Sequence, residues 1–435
     1  MSNILRRTRP ARLASILRRS VPVACILPFF QVTSPAQTTQ ATLGEKVGGQ
    51  LQSSEVSTTT SPRSWDAFRL APPPMSPFLR SGDFSLETVA ATGIGYDDNL
   101  TQRNDVRLRD FRWEFAPQFR ARYEPSSWSV GSRAELTYIP QALIYADHGD
   151  LNTVNHEGSI GLSLAEGKST LDLKHWFSLS SLPELMQSGS DLRHQERTTL
   201  EGSRELGGRT RLTAQLKAEY NSIQQGLTYW EFGERTRLDY LVRERLALGL
   251  GYGISYVDLS QGVQFLVHEP MVGVQWAASE QTRLWMGAGV EFLSPMNSSD
   301  GKSQTGALLE ASATHAISEK TSLQANLSHK QRPSYYAAGQ LDTVSQGTVS
   351  VSYKMTERVT ATTGGTFGYV EQSSYSSSLS SAGSYSFWQS SSSLQYGLSP
   401  RMSLLLAYRY SGRNSNFATP SFERNFIGLN FAYRL

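Results

Sequence analysis

The sequence predicts an all-β fold: a transmembrane, antiparallel, up-and-down β-barrel of about 18 strands (range about 16 to 20) behind a disordered N-terminal tail. Three observations predict it. Segments of period-two alternation recur along most of the chain, the connections between them alternate short and long, and aromatic residues gather at both ends of the segments.

The clearest alternation runs from Phe111 to Tyr138. Phe111, Trp113, Phe115, Phe119, Ala121 and Tyr123 share one face, while Arg112, Glu114, Gln118, Arg120 and Arg122 share the other. After Pro125, Ser126 and Ser127 the pattern resumes, with Trp128, Val130, Ala134, Leu136 and Tyr138 set against Ser129, Arg133, Glu135 and Thr137. This is a long β-hairpin. Each arm alternates over about ten residues, longer than a common globular strand and close to what a tilted strand needs to cross a bilayer. Pro117 cannot donate to a ladder, so it should mark a local bulge or a break in pairing.

Taken in order, the first 36 residues read as a secretory signal. Six arginines precede the short apolar run Val21 to Phe30, and Ser34-Pro35-Ala36 offers small residues for cleavage. The run is too short to span a membrane. Cys25, the only cysteine, lies inside it, so the mature chain would carry no thiol. Losing this segment leaves about 35 basic residues against 38 acidic ones, and that balance gives no reason to expect a nucleic-acid partner. Residues 37–83 are rich in Ser, Thr, Gln and Pro and read as a periplasmic low-complexity linker, too short for a plug. Residues 84–435 form the barrel. Their mean polarity is no objection, because only alternate residues of a barrel strand meet lipid.

A first strand runs from Phe84 to Tyr96, and further alternating segments follow the hairpin as far as Asn425 to Leu435. Short turns include LGGR (Leu206 to Arg209), VRER (Val242 to Arg245) and LSPR (Leu398 to Arg401). Longer connections are expected at 139–155, 180–193, 294–303, 332–342, 371–384 and 411–424. Tight turns on the periplasmic side and long loops outside are the rhythm of an outer-membrane barrel. Tyr220, Tyr256, Phe292, Tyr369 and Tyr410 fall near outer ends, and Tyr123, Trp128, Tyr240, Trp276 and Tyr353 near inner ends, as two interface girdles would. The last segment, NFIGLNFAYRL, looks like the C-terminal signal read by outer-membrane assembly machinery, with Leu435 where a terminal Phe is usual.

The polar phase of the alternation should face the lumen. Arg112, Glu114, Arg120, Arg122, Arg133, Glu135, Arg197, Arg211, Lys217, Arg235 and Arg237 are the candidate pore-lining residues, accompanied by Glu201, Glu219 and Asp239. Such charges either pair across strands to hold the wall or form a water-tolerant lining that binds passing anions or sugars weakly. Later strands present hydroxyls and amides instead, among them Gln324, Asn326, Thr348, Ser350 and Thr362, which suit sugar contacts or serve as small fillers.

The seven histidines show no metal-ligand spacing, and no cofactor or catalytic residue is expected. Asp147-His148 and Asn155-His156 are the nearest candidates for a catalytic pair.

The segment GIGYDDNLTQ (Gly93 to Gln102), the W-x-F-x-P-x-F pattern from Trp113 to Phe119, and the short-turn rhythm resemble the β-barrel porin type 2 family. The resemblance spans residues 84–435. It implies an integral outer-membrane barrel without catalytic residues, associated with saccharide, exopolysaccharide or surface-protein machinery. The expected function is a porin-like channel for passive passage of small hydrophilic solutes or export of a saccharide. The alternative is a structural or adhesion barrel without an open pore. Outer-membrane lipid and, through the last strand, the assembly machinery are the expected partners.

Overall fold

The computed structural model describes residues 79–129, 131–181, 192–223, 228–260, 262–297, 303–334, 340–374, 383–416 and 421–435. The signal segment, Cys25 and the linker up to residue 78 lie outside the described residues, as does most of the 180–193 connection. The described chain is built from twenty strand segments. They are β1 (Leu79–Ser81), β2 (Phe84–Asp97), β3 (Asp110–Phe115), β4 (Gln118–Tyr123), β5 (Arg133–Tyr145), β6 (Thr153–Glu166), β7 (Ser169–Ser180), β8 (Arg193–Gly207), β9 (Thr210–Ile223) and β10 (Thr228–Arg243). There follow β11 (Leu246–Leu259), β12 (Val263–Trp276), β13 (Thr282–Pro295), β14 (Gln304–Ser318), β15 (Thr321–Pro333), β16 (Gln340–Lys354), β17 (Val359–Ser374), β18 (Gly383–Ser399), β19 (Met402–Ser415) and β20 (Phe422–Arg434).

Apart from β3 and β4, which both pair with β2 and with β5, each strand pairs antiparallel with the next, and β20 returns to pair with β2 from Asp97↔Phe426 to Val89↔Arg434. The sheet is therefore a closed 18-strand barrel. Closure leaves no open sheet edge within it, which is what a sheet in hydrocarbon requires.

Two details reconcile twenty segments with eighteen staves. β3 and β4 are one stave interrupted at Ala116 and Pro117. Pro117 breaks the pairing without shifting it, because Thr92↔Phe115 and Val89↔Gln118 keep one register along β2. The proline therefore removes a donor but adds no bulge. β1 is a short addition. It pairs with Phe84–Leu86 beyond the end of β20, where the Leu435 backbone N–H also donates to the Thr88 carbonyl (3.1 Å).

Turns such as 167–168, 208–209, 244–245 and 400–401 close one end of the barrel, and the longer connections close the other. The long connections are shorter than expected. β5 continues to Tyr145, so the connection read as 139–155 is only 146–152, and β19 and β20 likewise extend into the connection read as 411–424. The physical reason lies inside the barrel: near its outer end inward residues such as Leu143, Tyr145, Phe387 and Phe422 are apolar and buried. With both faces apolar, period two fades although the strand goes on.

The outward face carries the apolar phase, with Ile94, Leu250, Leu327, Leu406 and Leu429 all exposed. Trp113 and Trp230 lie on this face towards the outer end, and Tyr123, Tyr240, Trp276 and Tyr353 at the turn end. The Tyr123 and Trp128 rings meet edge to face beside their turn, centroids 5.8 Å apart. An apolar belt between two aromatic bands is the surface of a barrel seated in a bilayer.

Candidate functional site

The inward face identifies itself by contacts that skip strands. Arg235 of β10 reaches Glu269 of β12 at 2.8 Å and Glu310 of β14 at 3.6 Å. Side chains separated by intervening strands meet on the concave side of a wall, so the polar phase lines the lumen.

One side of the lumen is a charged wall. Its centre is Glu219, a buried carboxylate held by Arg197 (2.9 Å), Lys217 (3.1 Å) and the Tyr229 hydroxyl, which donates at 2.5 Å. Lys217 also reaches Glu231 at 3.2 Å. A carboxylate removed from water persists in its charged form only with such company. Towards the turn end, Glu135 pairs with Arg122 (3.2 Å) and Arg120 (3.4 Å), and Arg120 also reaches Glu87 at 3.9 Å. Arg237 pairs with Asp239 (2.9 Å) and Arg211 with Glu205 (3.4 Å). Towards the outer end, Arg112 is buried. It lies 3.8 Å from Glu114, with its guanidinium 4.3 Å from the Phe426 ring centroid, while Glu114 accepts from the Gln141 side chain at 2.6 Å.

Ten of the eleven candidate lining residues thus enter ion pairs; Arg133, exposed at the start of β5, has none among the described residues. Sequence reasoning did not select Glu87, Glu231, Glu269 or Glu310. Each sits on the same polar phase as the residues that were chosen, so the signal was available. Around Glu219 and Arg235, three cations (Arg197, Lys217, Arg235) meet four carboxylates (Glu219, Glu231, Glu269, Glu310). The lumen charges picked out from the sequence, nine basic against five acidic, carry a basic excess that this cluster lacks.

On β14 to β17 the inward face between Glu310 and the turn-end rim carries hydroxyls and amides, while Lys330, Arg332 and Asp342 stand nearer the outer ends of β15 and β16. Thr348 and Thr366 hydroxyls meet at 3.1 Å, and the Thr362 hydroxyl donates to Ser352 at 3.5 Å. Thr314, Gln324 and Thr362 are exposed on this inward face, so water reaches the wall towards the turn end.

The outer end of the lumen is packed. Arg413 is buried, its guanidinium 5.2 Å from the Phe422 ring centroid and 5.9 Å from that of Tyr385. A Cβ at Gly368 would run into the Phe387 ring, so glycine is needed there for the strands to close on that side chain. Arg424 binds both carboxylate oxygens of Asp97 through Nε at 3.0 Å, joining β20 to β2 at the closure.

The candidate catalytic pairs resolve into structural contacts. The Asp110 carboxylate accepts from the Asp147 (3.0 Å) and His148 (2.9 Å) backbone N–H groups and contacts the His148 ring at 2.9 Å, fastening the 146–152 connection to β3. His156 meets the Tyr138 hydroxyl at 2.9 Å on the outward face, away from the lumen. In the outer connection 98–109, hydrogen bonds from Arg103 at 3.0 and 2.6 Å hold the Asp105 carboxyl below its ordinary range.

No family model and no curated protein matches the chain, so the resemblance to the type 2 porins rests on its sequence motifs alone. Several solved structures are similar. OccK2 (OpdF) of Pseudomonas aeruginosa, in complex with glucuronate, is 13% identical over 82% of this chain and 100% of its own, with a TM-score of 0.44. OccK11 (OpdR) of the same organism is 13% identical over 81% and 96%, with a TM-score of 0.43. The outer membrane protein OpdK, also from Pseudomonas aeruginosa, is 13% identical over 81% and 99%, with a TM-score of 0.41. At this level the likeness is one of barrel architecture, and no solute is carried across from it.

Proposed function

We propose that the chain is an integral outer-membrane channel for small hydrophilic solutes. The supporting observation is the asymmetry of the lumen: polar side chains such as Thr314, Gln324 and Thr362 meet water on the inward face towards the turn end. A soluble sandwich would bury its inner faces, whereas a wide barrel holds water there. Passage would be controlled at the packed outer end, around Arg413, Phe387 and Phe422. The hydroxyl-rich wall suits carbohydrate hydroxyls, and saccharide export is the finer form of this reading. It agrees with a chain made with a cleaved signal and delivered by the assembly machinery through its last strand, and with the eleven candidate residues lining the path.

Purified protein in planar bilayers tests the proposal. Stepwise conductance is expected, and Arg413→Ala should raise it by opening the outer end. A second reading, a structural or adhesion barrel without an open pore, draws support from the same burial of Phe387 and Phe422. Absence of current from both wild type and Arg413→Ala would establish that reading instead.

A further inference from the structure

The outward face carries hydroxyls at mid-strand on β17 and β18, where Thr363 meets Ser392 at 3.0 Å, but a mid-strand charge on β10. Glu234 stands on the outward face of β10 in the same phase as Phe232 and Leu238, well inside the strand, and it is exposed. Its hydrogen-bond partner is the Thr236 hydroxyl at 3.3 Å, and among the described residues no cation pairs with it. Two strands away on the same face, Glu196 pairs with His194 at 2.8 Å, both side chains about 40% exposed. Elsewhere among the described residues the outward carboxylates, such as Asp258, Glu371 and Glu423, stand like Glu196 within about three residues of a strand end, so Glu234 is the outward carboxylate at mid-strand. A charge facing hydrocarbon at mid-depth is costly, and such a residue is retained where protein or water covers it.

The residues around the two carboxylates have the make-up of a contact surface. The rings of His194, Tyr220, Trp230 and Phe232 form a continuous run, with successive centroids 5.2, 4.4 and 6.0 Å apart. These rings belong to the outer aromatic band, and tryptophan and tyrosine are also the side chains that anchor protein interfaces. Between the carboxylates, β9 presents Ala214 and Ala218 outward, small side chains over which another wall can approach.

We propose that this face binds a second copy of the chain about a two-fold axis along the membrane normal, passing near Ala218. The chemistry is self-complementary under that operation. Ala218 pairs with Thr198 of β8 on one side and Phe232 of β10 on the other, so the axis sets β10 of each copy against β8 of its partner. Glu234 then faces a strand carrying Thr198, with His175 directly across from it on β7. These groups can donate to a carboxylate, which lipid tails cannot do. The proposal depends on the barrel lying in a membrane but not on its being a channel.

The test uses the full chain in outer membranes, in a Cys25→Ser background. Ala218→Cys, close to the axis, should give a disulfide-linked dimer on oxidation. Ser392→Cys, outward on β18 across the barrel, should not. Glu234→Leu should lower the dimer fraction in mild detergent at least tenfold by native mass spectrometry, while heat-modifiable migration confirms that it is folded. Three results would overturn the proposal: a monomer before and after Glu234→Leu with no link at Ala218→Cys, equal linking at Ser392→Cys, or linking of Ala218→Cys to a different protein.

Discussion

The two sides of the lumen solve the same problem differently. The charged wall ties its strands together with side chains: Glu219 alone joins Arg197 and Lys217, and Arg235 reaches across to Glu269 and Glu310. The hydroxyl-rich wall, towards its turn end, leaves its strands to the backbone ladder with isolated hydroxyl contacts such as Thr348 to Thr366, and only near its outer end do buried side chains such as Asp342 and Gln372 join β16 to β17. Losing one partner of a buried ion pair strands the other, whereas losing one hydroxyl of a wetted wall strands little. One side therefore fixes the shape of the lumen, and the other leaves room beside it.

The sharpest way to break this contrast is to compare one substitution on each wall. Glu219→Ala should destabilise the barrel by about 3 kcal/mol, within the range for a broken buried pair, as read by urea unfolding in lipid vesicles. Ser350→Ala, on the hydroxyl-rich wall, should change stability by less than about 0.5 kcal/mol. Equal losses would mean that both walls depend on their side chains alike.

Charge selectivity offers a second measurement. Arg235→Ala leaves Glu269 and Glu310 without this cation, so reversal potentials under a salt gradient should shift several-fold towards cation permeation. Ser350→Arg on the facing wall should shift them the other way by a smaller factor, because water screens a charge added to an open surface. The rim should also respond weakly. Arg122 is about a third exposed and shares Glu135 with Arg120, so Arg122→Ala should cost under about 1 kcal/mol and leave conductance nearly unchanged.

Much of the architecture was legible because its signal is local. Phe111 to Tyr123 alternates residue by residue, and the structure keeps that register across Pro117. The outer ends were harder to read. Leu143, Phe387 and Phe422 face inward yet are apolar, so the alternation that marks a strand disappears where the lumen is filled. Lining residues were legible by phase but not by partner. Glu269 and Glu310 carry the same mark as Arg235 along their strands, but nothing in the order of residues brings those strands together.

The sequence by itself determined the strands, their two faces, the rhythm of their connections and an approximate count, because each follows from side chains one or two residues apart. The tertiary structure decided which charges meet, that the outer end is packed, and that β20 closes on β2 through Arg424 and Asp97, which stand 327 residues apart. Closure and curvature are properties of the whole ring: they place distant strands on one concave surface, and only there do charges spread along the chain become neighbours.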